Sequence, residues 1–152
     1  MKSLIDLAQR LSRLPLSEQL FIVHAWVLLA AMRLLIRIIP FDRLLAKCRK
    51  VRAGGLLARM SPVPLPRAIQ LMEAASRHQF CATTCLTETL ALSRLLAGRG
   101  MATTFMIGVS RHNRTLNAHA WLEQNGAVLA DTGDTATYVP LQPLRQPDGS
   151  RS

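Results

Sequence analysis

A cysteine, a histidine and an aspartate in this chain have the types and order that acyl-transfer chemistry uses. Cys85 begins a predicted helix, and Thr83 and Thr84 directly before it are candidate caps. Unsatisfied N–H groups and the positive end of the helix dipole favour a thiolate at such a position. The same N–H groups can donate to an oxyanion. Cys85 is therefore the candidate nucleophile, and the alternative is a small buried cysteine that packs as an apolar side chain.

A cysteine nucleophile needs a base, and His119 is the candidate. It lies within a predicted strand over residues 116–124, whose side chains alternate between two faces. One face would carry Ala118, Ala120 and Leu122, and the other would carry His119, Trp121 and Glu123. The second face is not simply charged and solvated, so Trp121 and Glu123 are candidate substrate contacts. A purely structural role for the histidine is the alternative.

Asp131 is the candidate for the group that orients the base. It ends a predicted strand over 127–131, and Asn125-Gly126 before that strand is a strong hairpin signal. The hairpin therefore decides whether the carboxylate of Asp131 faces His119.

Two hairpin registers are open to this sequence. A strict two-residue loop would put Asp131 opposite Ala120, on the wrong face of the strand. A three-residue loop with Gly126 as a left-handed bulge residue would put Asp131 directly opposite His119, within reach of a hydrogen bond. We predict the bulged turn, and Asp134 is the fallback acid.

Other polar side chains near Cys85 suggest less specific roles. Gln79, six residues before Cys85, is a candidate extra oxyanion donor, because side-chain amides serve that role in acyl transfer. A metal site from Cys81, Cys85, His112 and His119 is the other option, but none of the common zinc spacings is present. No cofactor is evident from the sequence.

The elements that must position these residues are predicted to be helices first and strands second. Leucines at helical spacing and a candidate N-cap at Ser17 indicate helix in the first forty residues, which Pro40 ends. Helices then follow over about 41–52, 66–78 and 86–97, and strands over 103–109, 116–124 and 127–131. Helices followed by an antiparallel meander predict an α+β fold.

Composition limits the class of protein. The chain has 152 residues, of which 49% are hydrophobic, so it suits one globular domain and not a disordered chain. Three cysteines are an odd count and favour a reduced, cytoplasmic setting. The apolar run over 20–32 is shorter than a membrane span and favours a buried helix or one lying on a membrane surface or partner.

Most of the formal net charge of +10 is local. The segment Arg33–Arg59 contains eight Lys or Arg residues and one acid, Asp42. Such a segment could dock an acidic partner or an acidic membrane surface, and a solvated basic helix face is the alternative. Nucleic acid is not expected as a partner, because aromatic residues make up only 5% and no recognised binding module is present.

Several of these residues, in this order, resemble a known family. The chain is similar to the leader-processing cysteine peptidases of lasso-peptide biosynthesis, which belong to the transglutaminase-like superfamily. The resemblance covers about residues 66–131 and is carried by Cys85-Leu86, Thr89-Leu90-Ala91-Leu92, Leu95-Leu96, Gly100, Ile107-Gly108-Val109, Ala118-His119-Ala120-Trp121-Leu122-Glu123 and Gly126.

The resemblance implies a papain/transglutaminase-like core in which a cysteine-bearing helix packs on an antiparallel β-meander. It also implies a Cys85, His119, Asp131 triad that removes the leader from a ribosomally made precursor peptide. A separate leader-binding protein and a macrocyclising cyclase are the implied partners. Thr87 and Glu88 depart from the family pattern, and Cys81 is not part of it.

These observations together predict a helical basic segment over 1–60, a transglutaminase-like cysteine peptidase core over 61–142 and a loose tail over 143–152. Two other functions remain open. A non-hydrolytic acyl transferase could use the same triad, because a thioester at Cys85 can pass to an amine as well as to water. A basic binding protein without catalysis is the second. We expect a cytoplasmic protein, with a peripheral contact to a membrane or exporter through Arg33–Arg59.

Overall fold

A computed structural model describes residues 12–51, 63–77, 84–112, 115–130 and 135–141. Over these ranges the chain forms four helices and a four-stranded antiparallel sheet, which confirms the predicted α+β class. The helices are α1 (Leu16–Ile38), α2 (Phe41–Arg49), α3 (Leu65–Arg77) and α4 (Cys85–Gly98). The strands are β1 (Thr104–His112), β2 (Thr115–Gln124), β3 (Ala127–Ala130) and β4 (Val139–Leu141), and a short 3₁₀ turn, Thr135–Thr137, precedes β4.

Prolines set both ends of α1. Ser17 was predicted to cap this helix, but the cap residue is Pro15, whose extended backbone (φ −55°, ψ 148°) leads directly into Leu16. At the other end, Pro40 disfavours helical backbone in the residue before it, and Ile39 is extended (φ −107°, ψ 132°). The helix therefore ends at Ile38, as the sequence predicted to within two residues.

One face of α1 lies in the core and packs on α3 and α4. The buried residues of this helix are Phe21, Ile22, Ala25, Leu29 and Met32. Two polar contacts fix it against α3: the indole of Trp26 donates to the carbonyl oxygen of Ala75 at 3.0 Å, and Arg67 forms a salt bridge of 2.7 Å with Glu18. By length and composition alone α1 could cross a membrane. This is weak evidence for a span, because a helix with one face in a protein core passes the same test.

Helix α2 follows after a two-residue connection and is shorter than the predicted 41–52. It covers the core with Leu44, Leu45 and Cys48, and the ring of Phe41 meets Phe105 of β1 edge to face at 5.9 Å. Burial raises the pKa of the Cys48 thiol to about 11, so this cysteine is an unreactive packing residue.

His24 of α1 makes the stability of the fold dependent on pH. Desolvation, followed by the charges of Arg94 and Arg99, lowers its pKa from 6.5. The folded state therefore binds this proton less readily than the unfolded state, and stability is lost as the pH falls below 6.5 toward the lowered value. We expect His24→Gln to reduce this loss, measured as the free energy of unfolding in urea on either side of pH 6.5. An unchanged pH dependence in the variant would contradict this assignment.

The sheet has the order β3-β2-β1-β4. Strands β1 and β2 form a long antiparallel pair, in which Gly108 lies opposite His119. The short strand β4 pairs with the other edge of β1 and was not predicted, because three residues that include Pro140 carry little strand signal. The central position of β1 and β2 places His119 in the interior of the sheet.

The β2–β3 hairpin corrects one prediction. The loop has two residues, with Asn125 (φ 53°) and Gly126 (φ 80°) both left-handed, and Gln124 pairs with Ala127. The three-residue bulged turn was therefore wrong, because the two-residue Asn-Gly turn matches the right-handed twist of the strands. An irregularity occurs further along instead, between Leu122 and Glu123, after which Leu122 pairs with Ala130.

Candidate active site

Cys85 is the first residue of α4, as the sequence predicted. The hydroxyl of Thr84 caps the helix by accepting from the backbone N–H of Thr87 at 3.3 Å, and the hydroxyls of Thr84 and Thr87 are 2.9 Å apart. Cys85 itself is half-buried and free of any disulfide. The thiol therefore lies at the positive end of a well-formed helix, where backbone N–H groups are available to an anion.

Thr89 joins the start of α4 to the strand that carries His119. Its hydroxyl lies 2.7 Å from the carbonyl oxygen of Cys85, one helical turn earlier, and 3.0 Å from the carbonyl oxygen of Ala120. Because Ala120 directly follows His119, this buried hydroxyl holds the candidate nucleophile's helix against the candidate base's strand. Thr89 was not among the predicted site residues, although helical Thr side chains can bond the carbonyl four residues earlier.

A cleft opens beside Cys85 between α3, α4 and β2. Its empty volume is about 440 Å³ including the open mouth. The lining is mostly apolar but includes Cys85, two carboxylates and two hydroxyls: Ile69, Met72, Glu73, Ser76, Cys85, Glu88, Thr89, Leu92, Ala120 and Leu122. The cleft therefore presents a mostly apolar surface next to Cys85.

The carboxylate of Glu88 is held at the cleft wall by a hydrogen bond from the hydroxyl of Ser76. Glu73 forms a salt bridge of 3.5 Å with Arg77 on the outer side of α3. Glu88 lies in the cleft with Cys85. It therefore places a polar group within a mostly apolar lining.

The ring of His119 lies in an aromatic cluster with Trp121 and Tyr138. Its centroid is 5.2 Å from that of Tyr138, and it stacks with Trp121 at 6.1 Å and an interplanar angle of 20°. His119 and Trp121 are both buried. The lining of the Cys85 cleft, among the described residues, includes Ala120 and Leu122 from β2 but not His119. The structure thus packs the helix of Cys85 against the strand of His119. The imidazole of His119 is on the opposite set of alternating β2 side chains from Ala120 and Leu122, which line the cleft.

Gly108 makes room for this cluster. A Cβ atom at Gly108 would lie 2.8 Å from the Trp121 ring and 2.9 Å from the Cβ atom of Tyr138. The indole of Trp121 also donates to a carboxylate oxygen of Glu123 at 2.9 Å. Trp121 and Glu123 thus contact each other, and Trp121 also stacks on His119, and their role as substrate contacts stays a prediction.

The remaining predicted site residues lie outside the described residues. These are Asp131, its fallback Asp134, the candidate oxyanion donor Gln79, and Cys81. Their roles stay predictions. Within the described ranges no group of three or more His, Cys, Asp or Glu side chains could hold a metal ion.

The Thr89 bridge gives a testable effect on stability. Thr89→Val keeps the shape of the side chain and removes the hydroxyl, so we expect the free energy of unfolding to fall by about 1 kcal/mol. Thr89→Ser, which retains the hydroxyl, is the control for the hydrogen bonds and should lose less. Denaturant unfolding of both variants measures the difference, and a Thr89→Val protein as stable as the native chain would show that the hydroxyl does not matter.

The cysteine-bearing helix packed against an antiparallel sheet is consistent with a transglutaminase-like core, and the comparison with family models agrees. The model of the transglutaminase-like superfamily matches residues 26–143, so the chain belongs to that superfamily. The match begins within α1 and extends past β4, so it includes the helical layer as well as the sheet. Neither the curated proteins nor the solved structures contain a match to the chain.

Proposed function

We propose that the protein is a cysteine peptidase that removes the leader from a ribosomally made lasso-peptide precursor. The observation that carries the proposal is the position of Cys85 at a capped helix N-terminus, in a cleft that Ala120 and Leu122 of the strand of His119 also line. Membership of the transglutaminase-like superfamily supports a cysteine-dependent enzyme of the peptidase or acyltransferase type.

In the proposed reaction the Cys85 sulfur attacks the scissile carbonyl carbon, and the peptide N–H groups at the start of α4 donate to the oxyanion. His119 takes the thiol proton and gives it to the leaving amine as the C–N bond breaks. Water then attacks the thioester, which releases the leader carboxylate and restores the thiol. His119 lies on the other set of alternating β2 side chains from Ala120 and Leu122, which line the cleft, so the proposal requires the imidazole to come within hydrogen-bond reach of Cys85 in the substrate complex.

We propose Asp131 as the group that orients His119. The irregularity in the β2–β3 pairing supports this assignment. Leu122 pairs with Ala130, one residue further along β3 than the two-residue loop alone would give. The proposal requires the strand pairing to continue past Ala130 in this shifted register, which would give Asp131 the same facing as Trp121 and His119. The proposed acid is thus favoured by an irregularity within β2 and β3 instead of by a bulged turn.

The proposed partners follow from the same reading. The precursor peptide occupies the cleft, a separate leader-binding protein presents it, and a cyclase uses the amine that cleavage frees. The unpaired thiols of Cys48 and Cys85 support a cytoplasmic setting for the reaction.

An acyl transferase with the same nucleophile is the second candidate. The apolar lining around Cys85 favours it, because Ile69, Met72 and Leu92 limit the access of water to a thioester. An amine that enters the cleft would then compete better with hydrolysis.

Mass spectrometry after incubation with a precursor and its leader-binding protein tests the two candidates. Leader and core that together differ from the precursor by one water support hydrolysis. Condensation of the leader with an added amine, with loss of the core, supports transfer. No product and no thioester at Cys85 would reject both and leave a binding protein without catalysis.

A further inference from the structure

Seven apolar side chains form an exposed stripe along the whole of α1. They recur every three or four residues, so they lie on one face of the helix, opposite the face in the core. Val27 is 62% exposed and Leu34 is 58% exposed. The members of this stripe are Leu16, Leu20, Val23, Val27, Ala30, Leu34 and Ile38.

The stripe is unusual in its length and chemistry. The 23-residue helix extends about 34 Å, and the stripe follows it from the first residue to the last. Soluble surfaces expose single apolar side chains routinely, but contiguous apolar patches mark interaction sites. A surface of this kind is typical of an interaction site, at which a partner displaces water from the apolar side chains.

The contacts of the opposite face of α1 determine whether the helix could span a membrane or only lie on its surface. Phe21, Ala25 and Leu29 are buried against the protein core, and the indole of Trp26 bonds to α3. These contacts would have to break for α1 to cross a bilayer, although its hydropathy and length suffice. A helix with one face in a protein and an apolar face outward can instead lie in the plane of the membrane surface.

The basic side chains that flank the stripe favour docking on an anionic membrane surface. Arg13 precedes the stripe and Arg37 lies in its last turn, and both are exposed. The exposed basic residues of α2 and its cap follow after a tight connection: Arg43, Lys47 and Lys50. Acids over the described residues 12–51 are only Glu18, which Arg67 neutralises, and Asp42.

We propose that α1 docks on the surface of an anionic phospholipid membrane, with the stripe in the interface and the flanking basic side chains at the lipid headgroups. Each basic group near such a surface adds to binding, and the apolar stripe adds a term that salt does not screen. A second copy of the chain fits less well, because each copy carries a net charge of +10 and arginines at both ends of the stripe. The proposal does not depend on catalysis, so Cys85→Ala binds as the native protein does.

Flotation of the full chain with vesicles tests this docking. We expect binding to vesicles of phosphatidylcholine mixed with phosphatidylglycerol, weaker binding to phosphatidylcholine alone, and weakening by salt. Val27→Gln with Leu34→Gln should weaken binding at least about tenfold, because two apolar groups are lost from the interface. Leu116→Gln on β2, where the leucine is 70% exposed, is the matched control and should bind as the native chain does.

A second measurement separates docking from loss of structure. A tryptophan introduced as Val27→Trp should be quenched by brominated phosphatidylcholine in anionic vesicles, whereas one introduced as Leu116→Trp should not. Unfolding midpoints of all variants check that the fold is retained. Absence of vesicle binding, equal binding by the double variant, or an unquenched tryptophan at position 27 would overturn the proposal. Dissociation of a dimer by Val27→Gln without vesicle binding would assign the stripe to a second copy and overturn it as well.

Discussion

Replacing Cys85 with alanine is expected to abolish leader removal, with a loss of about 10⁴-fold or more in turnover. The magnitude follows from the role of the sulfur in the proposed mechanism, since the thioester forms on this atom. The helix should persist without the thiol, because Thr84 and Thr87 form the cap. Cleavage of a precursor in the presence of its leader-binding protein, followed by mass spectrometry, measures the effect.

Two other cysteine variants are the controls. Cys48 is buried beside Met32, with its Sγ atom 3.8 Å from the Met32 sulfur and a pKa raised to about 11. Cys48→Ala should therefore keep most of the activity, apart from any change in stability. Cys81→Ala should also keep most of it. An active Cys85→Ala protein, or an inactive Cys81→Ala protein, would move the nucleophile away from Cys85.

Alkylation gives a readout that does not need the substrate. We expect iodoacetamide to label Cys85 in the folded protein, because its thiol lines an open cleft, and to label Cys48 only after unfolding. Loss of activity in step with the labelling of Cys85 would connect the thiol to the proposed reaction, even where the precursor is bound weakly.

The helix of the nucleophile could be predicted from sequence because its signals are local. Thr84 supplies the cap, Cys85 begins the helix, and the apolar periodicity continues to within one residue of its end. Pro40 and Pro66 act locally in the same way, since one follows the end of a helix and the other lies in a first turn. Hydrophobic patterning with these signals was enough for the α+β class.

The surroundings of His119 could not be predicted, because they depend on residues distant in sequence. Tyr138 reaches the imidazole only because β4 pairs with β1, and Thr89 reaches Ala120 only because α4 packs on β2. The hairpin shows a different limit: Asn125-Gly126 predicted a turn, but strand twist and the pairing beyond it decided the register. The helix or strand that carries each candidate site residue was thus easier to predict than the contacts of its side chain.

Helix α1 shows why an apolar run alone does not define an environment. The sequence over 20–32 could belong to a core helix, a span or a surface helix. In the fold one face contacts α3 and α4, while the stripe remains exposed. That division comes from tertiary packing, and it is the reason that docking could be proposed for one face and core packing assigned to the other.

Replacing Gly108 with alanine is expected to lower the free energy of unfolding by about 3 kcal/mol, the upper part of the range for overpacking a core. The added Cβ atom would lie closer than 3.0 Å to the Trp121 ring on one side and to the Tyr138 Cβ atom on the other. Neither is the end of a flexible chain, because the indole is rigid and the second atom is next to the backbone. The strand must therefore shift or the ring must move.

The consequence would reach the candidate base. The rings of Trp121 and Tyr138 both pack against the imidazole of His119, so displacement of either ring changes the surroundings of the imidazole. We expect the near-ultraviolet circular dichroism of the aromatic cluster to change and leader removal to slow in Gly108→Ala, even under conditions in which the variant is fully folded.

Gly98→Ala is the matched control, because a Cβ atom there meets nothing within 4 Å and the residue ends a helix. It should be as stable as the native chain or slightly more so. Combining Gly108→Ala with Trp121→Phe tests the cause, since the smaller ring relieves the close contact and should restore part of the lost stability relative to Trp121→Phe alone. A Gly108→Ala protein as stable as Gly98→Ala, or a strictly additive double variant, would show that Trp121 does not require the glycine.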